Sequence, residues 1–298
     1  MNSQPPTEGT LALGHPRVFD FIALAKPELT LLSVLTAMGG AYLAIEGGRQ
    51  YLTVLHTLFG TLLVGAGAGA LNMYLEREYD AMMKRTERRP IPSGRVAPRE
   101  ALGFGLTTAV LGIAQLAVFT HLLAAFLAFV TLVTYLFLYT PLKRLTPFAT
   151  VVGAVPGALP PTIGWAAVRG DLGPEAWSLF AILFFWQIPH FLSLAWLYRM
   201  DYARAGYRML TVGDTCGTVT SRYILVSSVL LLPASLLPTS VGLLGFLYFP
   251  GAALLSLTFL VLSVRMLRRP TNLAARRLFI ASLVYMTALV LLMVLDKI

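Results

Sequence analysis

The stretch that decides the fold is residues 52–80, LTVLHTLFGTLLVGAGAGALNMYLEREYD, in which an apolar run leads directly into a polar end. Residues 52–75 contain no Asp, Glu, Lys or Arg. A helix needs about 20 such residues to cross the hydrocarbon core of a bilayer, which is roughly 30 Å thick. The run therefore predicts a transmembrane helix whose polar end, from Asn72 to Asp80, emerges at one membrane face.

The rest of the chain repeats this apolar pattern. Of its 298 residues, 57% are hydrophobic and 12% are charged, whereas a soluble domain is about 45–50% apolar and about 25% charged. This composition excludes a disordered chain, a nucleic-acid-binding domain and an ordinary soluble enzyme, and it predicts an all-α membrane protein. About nine runs are long enough to span a membrane: Leu29–Ile45, Leu52–Leu75, Ala101–Thr120, Leu122–Tyr139, Phe148–Val168, Ala176–Tyr198, Tyr223–Pro238, Leu243–Val264 and Leu278–Leu295.

The basic residues indicate how these helices are oriented. With the N-terminus in the cytoplasm, all but three of the 23 Lys and Arg residues fall on the cytoplasmic side, the exceptions being Arg49, Arg169 and Lys297. This bias follows the positive-inside rule. The net charge of +9 is therefore attributed to topology and anionic lipid, with no nucleic acid as partner.

The long loops suggest an internal layout. Two of them, Glu76–Glu100 and Arg199–Arg222, follow the second and sixth predicted helices on the cytoplasmic side. We therefore expect two four-helix units, each with its working loop between its second and third helices, plus a ninth helix. Residues 1–20 are expected to form a disordered cytoplasmic tail, and residues 21–298 a single transmembrane domain.

The first polar motif is the series Asn72, Glu76 and Asp80. In a helix, residues four apart drift by only about 40°, so the three side chains share one stripe about 12 Å long. Side-chain oxygens suit Mg²⁺, which binds through one or two carboxylates and substrate phosphates. A solvated helix end would also explain two acids. Asn72, however, lies inside the apolar run, where a polar group is costly without a partner, and this favours a metal site.

A basic segment and a Tyr–Lys pair accompany the stripe. Arg85, Arg88 and Arg89 follow it closely, and guanidiniums beside metal-binding acids are typical of a diphosphate site. Membrane anchoring explains any basic run, but not its position directly after the acids. Tyr139 and Lys143 are also four residues apart. Lys143 could neutralise a phosphate oxygen, although an interfacial Tyr and a cytoplasmic Lys are common on their own.

The sixth predicted helix and the loop after it carry the other candidates. Trp186, Gln187 and His190 lie inside the span, where polar groups suggest function; a packing role for His190 remains equally open. Asp201 lies in the second long loop, where it could form the second pole of a two-metal site. The segment 65–70, GAGAGA, follows no strand and so is no dinucleotide loop; it predicts close helix packing or space for a ligand.

Together these motifs resemble the UbiA-type family of intramembrane prenyltransferases. The resemblance covers roughly residues 20–295 and rests on Asn72/Glu76/Asp80, Tyr139/Lys143 and Asp201. Two features depart from the wider family: Glu76 replaces the usual first aspartate, and the second loop lacks a paired acid, which argues against a hydroxybenzoate acceptor. Four segments point to the heme-modifying branch: Lys26-Pro27-Glu28, Arg85-Thr-x-x-Arg88-Arg89-Pro90, Trp186-Gln-x-Pro-His190-Phe-x-x-Leu-Ala195 and Asp201-Tyr-x-x-Ala-Gly206-x-x-Met-Leu210.

The resemblance implies a nine-helix bundle in a bacterial or archaeal inner membrane. It also implies an enzyme that transfers the farnesyl group of farnesyl diphosphate to a vinyl group of heme b. The product would be heme O, and diphosphate would be released. Mg²⁺ is the implied cofactor, membrane lipid the surroundings, and a heme A synthase or terminal-oxidase assembly protein an implied partner. The implied roles are catalysis for Asp80, Lys143, Tyr139 and Asp201; diphosphate binding for Arg85, Arg88, Arg89 and Lys143; heme binding for His190, Gln187 and Trp186; and Mg²⁺ binding for Asn72, Glu76, Asp80 and Asp201.

Two alternatives remain. The first is a prenyltransferase with another acceptor, such as a quinone-precursor ring or a different tetrapyrrole. The second is a cation-binding transporter. Transporters place ionisable groups near the bilayer midplane, whereas the acids here cluster at one predicted face, which disfavours transport.

Overall fold

The computed structural model describes residues 18–46 and 50–298. Within these ranges the regular structure is helical, apart from one antiparallel bridge between Leu244 and Lys297. The helices are α1 (Val18–Leu24), α2 (Pro27–Ala44), α3 (Tyr51–Asp80), α4 (Pro98–Phe119), α5 (Leu122–Val133), α6 (Thr140–Leu145), α7 (Ala149–Arg169), α8 (Pro174–Leu197), α9 (Arg199–Arg204), α10 (Leu210–Gly213), α11 (Thr218–Ser240), α12 (Tyr248–Arg268) and α13 (Asn272–Leu295), with a π-helical segment at Thr134–Tyr139.

The predicted all-α membrane architecture is confirmed. In the part of the chain that the structure describes, eight helices are long and apolar enough to cross a membrane: α3, α4, the continuous helix Leu122–Leu145, α7, α8, α11, α12 and α13. The 18-residue α2 packs beside them against α3 and α7. At 1.5 Å per residue it is about 27 Å long. It therefore supplies the ninth helix that the sequence predicts.

Small residues bring α3 and α4 close together. A Cβ atom added at Gly67 would lie 2.7 Å from the backbone nitrogen of Ala109, and one added at Gly112 would lie 2.6 Å from that of Val64. Real Cβ atoms do not approach backbone so closely, so both positions require glycine. The predicted role of segment 65–70 in close helix packing is thus confirmed for Gly67.

The two ends of the bundle differ in charge. At the end remote from Asp80, Arg169 pairs with Glu46, and Lys297 donates to the backbone oxygens of Tyr42 and Ile45 at 2.6 and 2.8 Å. Two of the three exceptions to the charge bias therefore lie at the same end. The third, Arg49, and most of the predicted tail (residues 1–17) lie outside the described residues, and residues 18–20 begin α1.

Candidate active site

The acidic stripe lies on a single helix. α3 continues to Asp80, beyond the predicted end at Leu75, because residues 76–80 keep the helical hydrogen-bond pattern. Asn72, Glu76 and Asp80 are 0%, 3% and 1% exposed. Three polar groups buried at the end of a membrane helix require partners.

Each member of the stripe has its own cationic partner, from a different part of the chain. The Lys26 ammonium donates to Asn72 Oδ1. Lys143 Nζ lies 2.7 Å from Glu76 Oε1, and Arg89 Nη1 lies 2.6 Å from Asp80 Oδ2. Charge-assisted bonds of this kind offset part of the cost of burying a carboxylate. The stripe is therefore one side of a buried charge network.

The π-helical segment positions Lys143. Pro141 has no backbone N–H, and the wider i→i+5 turn preceding it accommodates its ring. Thr140 Oγ1 donates to the Tyr135 carbonyl at 2.9 Å and accepts from Asn72 Nδ2 at 3.0 Å. This bond ties the segment to α3. The Lys143 ammonium lies 4.7 Å from the centre of the Tyr139 ring, so the predicted Tyr–Lys pair lies together beside Glu76.

The basic segment after α3 turns back onto the stripe. Thr86 Oγ1 donates to the Asp80 carbonyl oxygen at 2.9 Å. This bond holds the chain folded back towards α3, where Arg89 contacts the Asp80 carboxylate. The Arg85 guanidinium lies over the rings of Tyr198 and Tyr202, at 5.5 and 6.0 Å. Arg88 is exposed. Of the three predicted diphosphate-binding arginines, only Arg89 contacts the stripe directly.

The two long loops meet, but through a residue that the sequence did not suggest. Tyr207 Oη donates to Glu76 Oε1 at 3.1 Å, and the backbone N–H of Arg208 donates to the Lys143 carbonyl at 3.0 Å. Burial and the neighbouring Glu76 carboxylate raise the pKa of the Tyr207 hydroxyl. Asp201 pairs with Arg204 at 3.0 Å. The second loop therefore reaches the stripe through Tyr207, and Asp201 lies on its own short helix, α9.

The oxygen atoms of the stripe fit a divalent cation only in part. Across residues 18–46 and 50–298, no three Asp, Glu, His or Cys side chains form a ready-made metal site. Asp80 Oδ1, however, is a buried carboxylate oxygen with no hydrogen-bond partner. Mg²⁺ usually binds through one or two carboxylates and completes its shell with water and substrate phosphates. Asp80 and its neighbours match that donor set.

A second cluster surrounds His190. Its ring stacks between those of Trp186 and Phe279, with centroids 4.8 and 4.9 Å away. Ser282 Oγ donates to the Phe279 carbonyl at 2.6 Å and lies 2.7 Å from His190 Nδ1. Because the hydroxyl has a single proton, Nδ1 is assigned as the donor to Ser282, which leaves the lone pair on Nε2.

The other two predicted heme-binding side chains make internal contacts. Trp186 Nε1 donates to the Ser282 carbonyl at 2.8 Å. Gln187 Nε2 donates to the carbonyls of Ala154 and Leu183, both at 3.0 Å. Gln187 thus links α8 to α7, and its amide hydrogens are both used within the protein.

Sequence reasoning missed Lys26 and Tyr207. Burial of the Lys26 ammonium and the nearby Arg89 charge lower its pKa to about 7, against the effect of Glu76. A lysine before a membrane helix looks like ordinary anchoring, and Tyr207 stands in a loop with no regular spacing. Lys26 and Tyr207 could have been noticed because both lie inside segments that carry the family resemblance.

Comparison with known proteins identifies the family. The model of the UbiA prenyltransferase family matches residues 33–289. The chain belongs to the UbiA prenyltransferase family. Among the relatives of this UbiA-family chain are proteins named protoheme IX farnesyltransferase. That of Solibacter usitatus is 44% identical over 287 residues, covering 93% of this chain and 98% of the relative. That of Salinibacter ruber is 43% identical over 279 residues, covering 94% and 99%.

Solved UbiA-type structures share the fold. A digeranylgeranylglyceryl phosphate synthase superposes with a TM-score of 0.79 at 17% identity, over 94% of this chain and 98% of that one. A UbiA homolog from Archaeoglobus fulgidus bound to GPP and Mg²⁺ gives 0.65 at 16% identity, over 92% and 99%. These similarities establish a UbiA-type helical bundle for this family member.

Proposed function

We propose that this UbiA-family protein transfers the farnesyl group of farnesyl diphosphate to a vinyl group of heme b. The new carbon–carbon bond forms at the vinyl group, water adds to the neighbouring carbon with loss of a proton, and heme O and diphosphate are the products. The observation that carries the proposal is the buried stripe of Asn72, Glu76 and Asp80, faced by cations from three segments. Heme as acceptor is inferred from the relatives.

The stripe is the proposed metal site. Asn72, Glu76 and Asp80 would hold Mg²⁺ with Asp201 from the second loop, and Asp80 Oδ1 already has no protein partner. A bound Mg²⁺ would neutralise charge on the diphosphate oxygens and so favour cleavage of the allylic C–O bond. In the structure, Asp201 Oδ1 pairs with Arg204.

The cations are the proposed diphosphate site. Lys143 and Arg89 stand beside the stripe and can donate to the departing oxygens, where charge develops in the transition state. Arg85 and Arg88 precede Arg89 in the same segment, and we propose that they meet the outer phosphate. Tyr139, beneath the Lys143 ammonium, would hold the leaving group or face the allyl cation with its ring.

An apolar groove among the membrane-spanning helices is the proposed place for the prenyl chain. A groove between α2, α7, α8 and α13 is lined by Leu35, Gly40, Pro161, Leu183, Met286 and Val290. Apolar walls suit a prenyl chain and keep water from an allyl cation. The Nε2 lone pair of His190 is the proposed heme-iron ligand, with Trp186 and Gln187 shaping the wall around it.

The location is inferred from the charge bias of the loops and from the family. We infer an inner-membrane protein with the N-terminus and both working loops in the cytoplasm, and residues 21–298 as the catalytic domain. Lipid surrounds the bundle. A heme A synthase or oxidase assembly protein is the proposed recipient of the product. Transport is disfavoured because the stripe lies at the end of α3, away from the midplane.

The test is product analysis. The purified protein is incubated with heme b, Mg²⁺ and farnesyl diphosphate, and the extracted hemes are analysed by mass spectrometry. We expect heme b to gain one farnesyl group and one hydroxyl group. Parallel reactions replace heme with a quinone-precursor ring or another tetrapyrrole. Prenylation of one of these acceptors, with heme left unmodified, would overturn the assignment of heme.

A further inference from the structure

The link between α1 and α2 contains a strained backbone. Lys26 has φ 47° and ψ 63°, and it is the one non-glycine residue with positive φ among those the structure describes. This left-handed conformation is unfavourable for a residue with a Cβ atom, and it persists only where the surroundings enforce it. Glycine or asparagine would adopt it more readily. The position of a lysine here therefore needs a reason in its side chain.

Gly69 on α3 makes room for this link. A Cβ atom at Gly69 would lie 2.9 Å from the Leu24 carbonyl oxygen and 3.0 Å from that of Ala25. Thr30 Oγ1 donates to the same Ala25 carbonyl at 2.6 Å. The link thus lies directly on α3, three residues before Asn72, and this brings the Lys26 side chain to the stripe.

Lys26 is a basic side chain that has no carboxylate partner among the described residues. Lys143 and Arg89 each pair with an acid of the stripe. Within the described residues, the Lys26 ammonium makes its hydrogen bond to the neutral amide oxygen of Asn72 and no ion pair. A charged group removed from water is stabilised by an opposite charge far better than by a dipole. The stripe contains two carboxylates but faces three basic side chains, which suits an anionic ligand.

We propose that Lys26 is a third cation of the diphosphate site, held by the strained link so that its ammonium binds a phosphate oxygen of the prenyl diphosphate. This inference rests on the proposed function. On binding, Lys26 would exchange Asn72 Oδ1 for phosphate, and Asn72 would be free to act as a metal ligand. A structural role, in which Lys26 only joins the link to α3, is the competing explanation.

The experiment separates these roles by binding and stability. We would measure the Kd of an unreactive analogue, farnesyl S-thiolodiphosphate with Mg²⁺, and the thermal unfolding midpoint, for Lys26→Met, Lys26→Gly and Lys26→Arg. Lys84→Met is the matched control, because Lys84 is exposed near the end of α3. We expect Lys26→Met and Lys26→Gly to weaken binding roughly 10- to 100-fold, the effect of one lost charge-assisted bond. Lys26→Arg should retain part of the affinity, and Lys84→Met all of it.

The glycine variant makes the test decisive. Glycine tolerates the left-handed backbone, so Lys26→Gly should keep the wild-type unfolding midpoint while it loses affinity. In turnover, KM for farnesyl diphosphate should rise and KM for heme should not. Wild-type affinity in Lys26→Met and Lys26→Gly would overturn the inference alone. A fall in affinity that only follows a matching loss of stability in both variants would also overturn it, in favour of the structural role. If the wild-type protein does not bind the analogue, the proposed function itself fails.

Discussion

Lys143 Nζ lies 2.7 Å from Glu76 Oε1, and this bond joins residues 67 positions apart in the sequence. It connects the end of α3 to the helix that follows the π-helical segment. The same Glu76 oxygen accepts from Tyr207 of the second loop. One buried carboxylate therefore holds three segments of chain at the mouth of the bundle.

Replacement of Lys143 by methionine should damage both stability and catalysis. The substitution leaves the Glu76 carboxylate buried with only the Tyr207 hydroxyl as a donor, and removing one partner of such a pair costs about 3–5 kcal/mol. Loss of one donor to the departing diphosphate should lower kcat by about 10²–10³-fold. Thermal unfolding in detergent and heme farnesylation measure the two effects.

The double variant Lys143→Met/Glu76→Gln tests whether the lost stability comes from the unpaired Glu76 charge. The neutral amide removes the unpaired charge, so most of the lost stability should return while activity stays low. Recovery of activity together with stability would show that Lys143 acts only by balancing Glu76.

Asp80 and Asp201 should differ in their response to loss of charge. Asp80→Asn should abolish Mg²⁺-dependent turnover, because Asp80 Oδ1 is the buried oxygen without a protein partner. Asp201→Asn should weaken Mg²⁺ activation less severely, since Asp201 already has Arg204 as a partner. The measurement is the Mg²⁺ concentration dependence of heme farnesylation.

Glu78→Gln is the control for both variants, because Glu78 is an exposed acid on the last turn of α3 and exposed ion pairs contribute little. Normal activity in both Asp80→Asn and Asp201→Asn would refute the metal assignment.

Glycine substitutions should test the packing of α3 on α4. Gly67→Ala places a Cβ atom 2.7 Å from the backbone nitrogen of Ala109, so the helices must separate and the unfolding midpoint should fall. Gly103→Ala on α4 meets nothing within 4 Å and should raise helix stability by up to about 1 kcal/mol. Equal effects of the two substitutions would contradict the close-packing interpretation.

The sequence predicts the bundle well because lipid imposes a simple rule. Every span must be a long apolar helix, so the sequence predicts where spans are separated. The predicted break at His121 lies between α4 and α5, whereas α11 continues to Ser240, two residues beyond the predicted end at Pro238, and the break before α12 covers residues 241–247. The stripe could be predicted as well, because Asn72, Glu76 and Asp80 follow the period of the α-helix. Neither feature depends on how the helices pack together.

The contacts between the stripe and its partner side chains depend on how the helices pack, and the sequence predicted only some of them. Nothing in the spacing connects Lys26 to Asn72, because the contact requires a left-handed backbone at Lys26 and a glycine at position 69. Tyr207 reaches Glu76 only because Gly206, with φ of 71°, turns the loop. The sequence suggested Asp201 for this place, since an acid is conspicuous in a loop and a tyrosine is not.

His190 and Ser282 should act as a unit in heme binding. The Ser282 hydroxyl accepts the Nδ1 proton of His190 and so keeps the lone pair on Nε2. A hydrogen-bond partner on the ring nitrogen that does not bind the metal fixes both the tautomer and the orientation of a metal-binding histidine. Its loss typically lowers metal affinity by about 10–100-fold. We expect Ser282→Ala to weaken heme binding by about that factor, and His190→Ala to change the absorption spectrum of bound heme.

A packing role for His190 predicts a different pattern. His190 stacks between two aromatic rings, so His190→Phe preserves the stack while it removes both nitrogens. If His190 only packs, His190→Phe should bind heme with an unchanged spectrum, and Ser282→Ala should alter stability without altering heme affinity. If Nε2 binds the iron, His190→Phe should change the spectrum as much as His190→Ala does, at a higher unfolding midpoint. His121→Asn, at the remote N-cap of α5, controls for loss of a histidine elsewhere and should leave the heme spectrum unchanged.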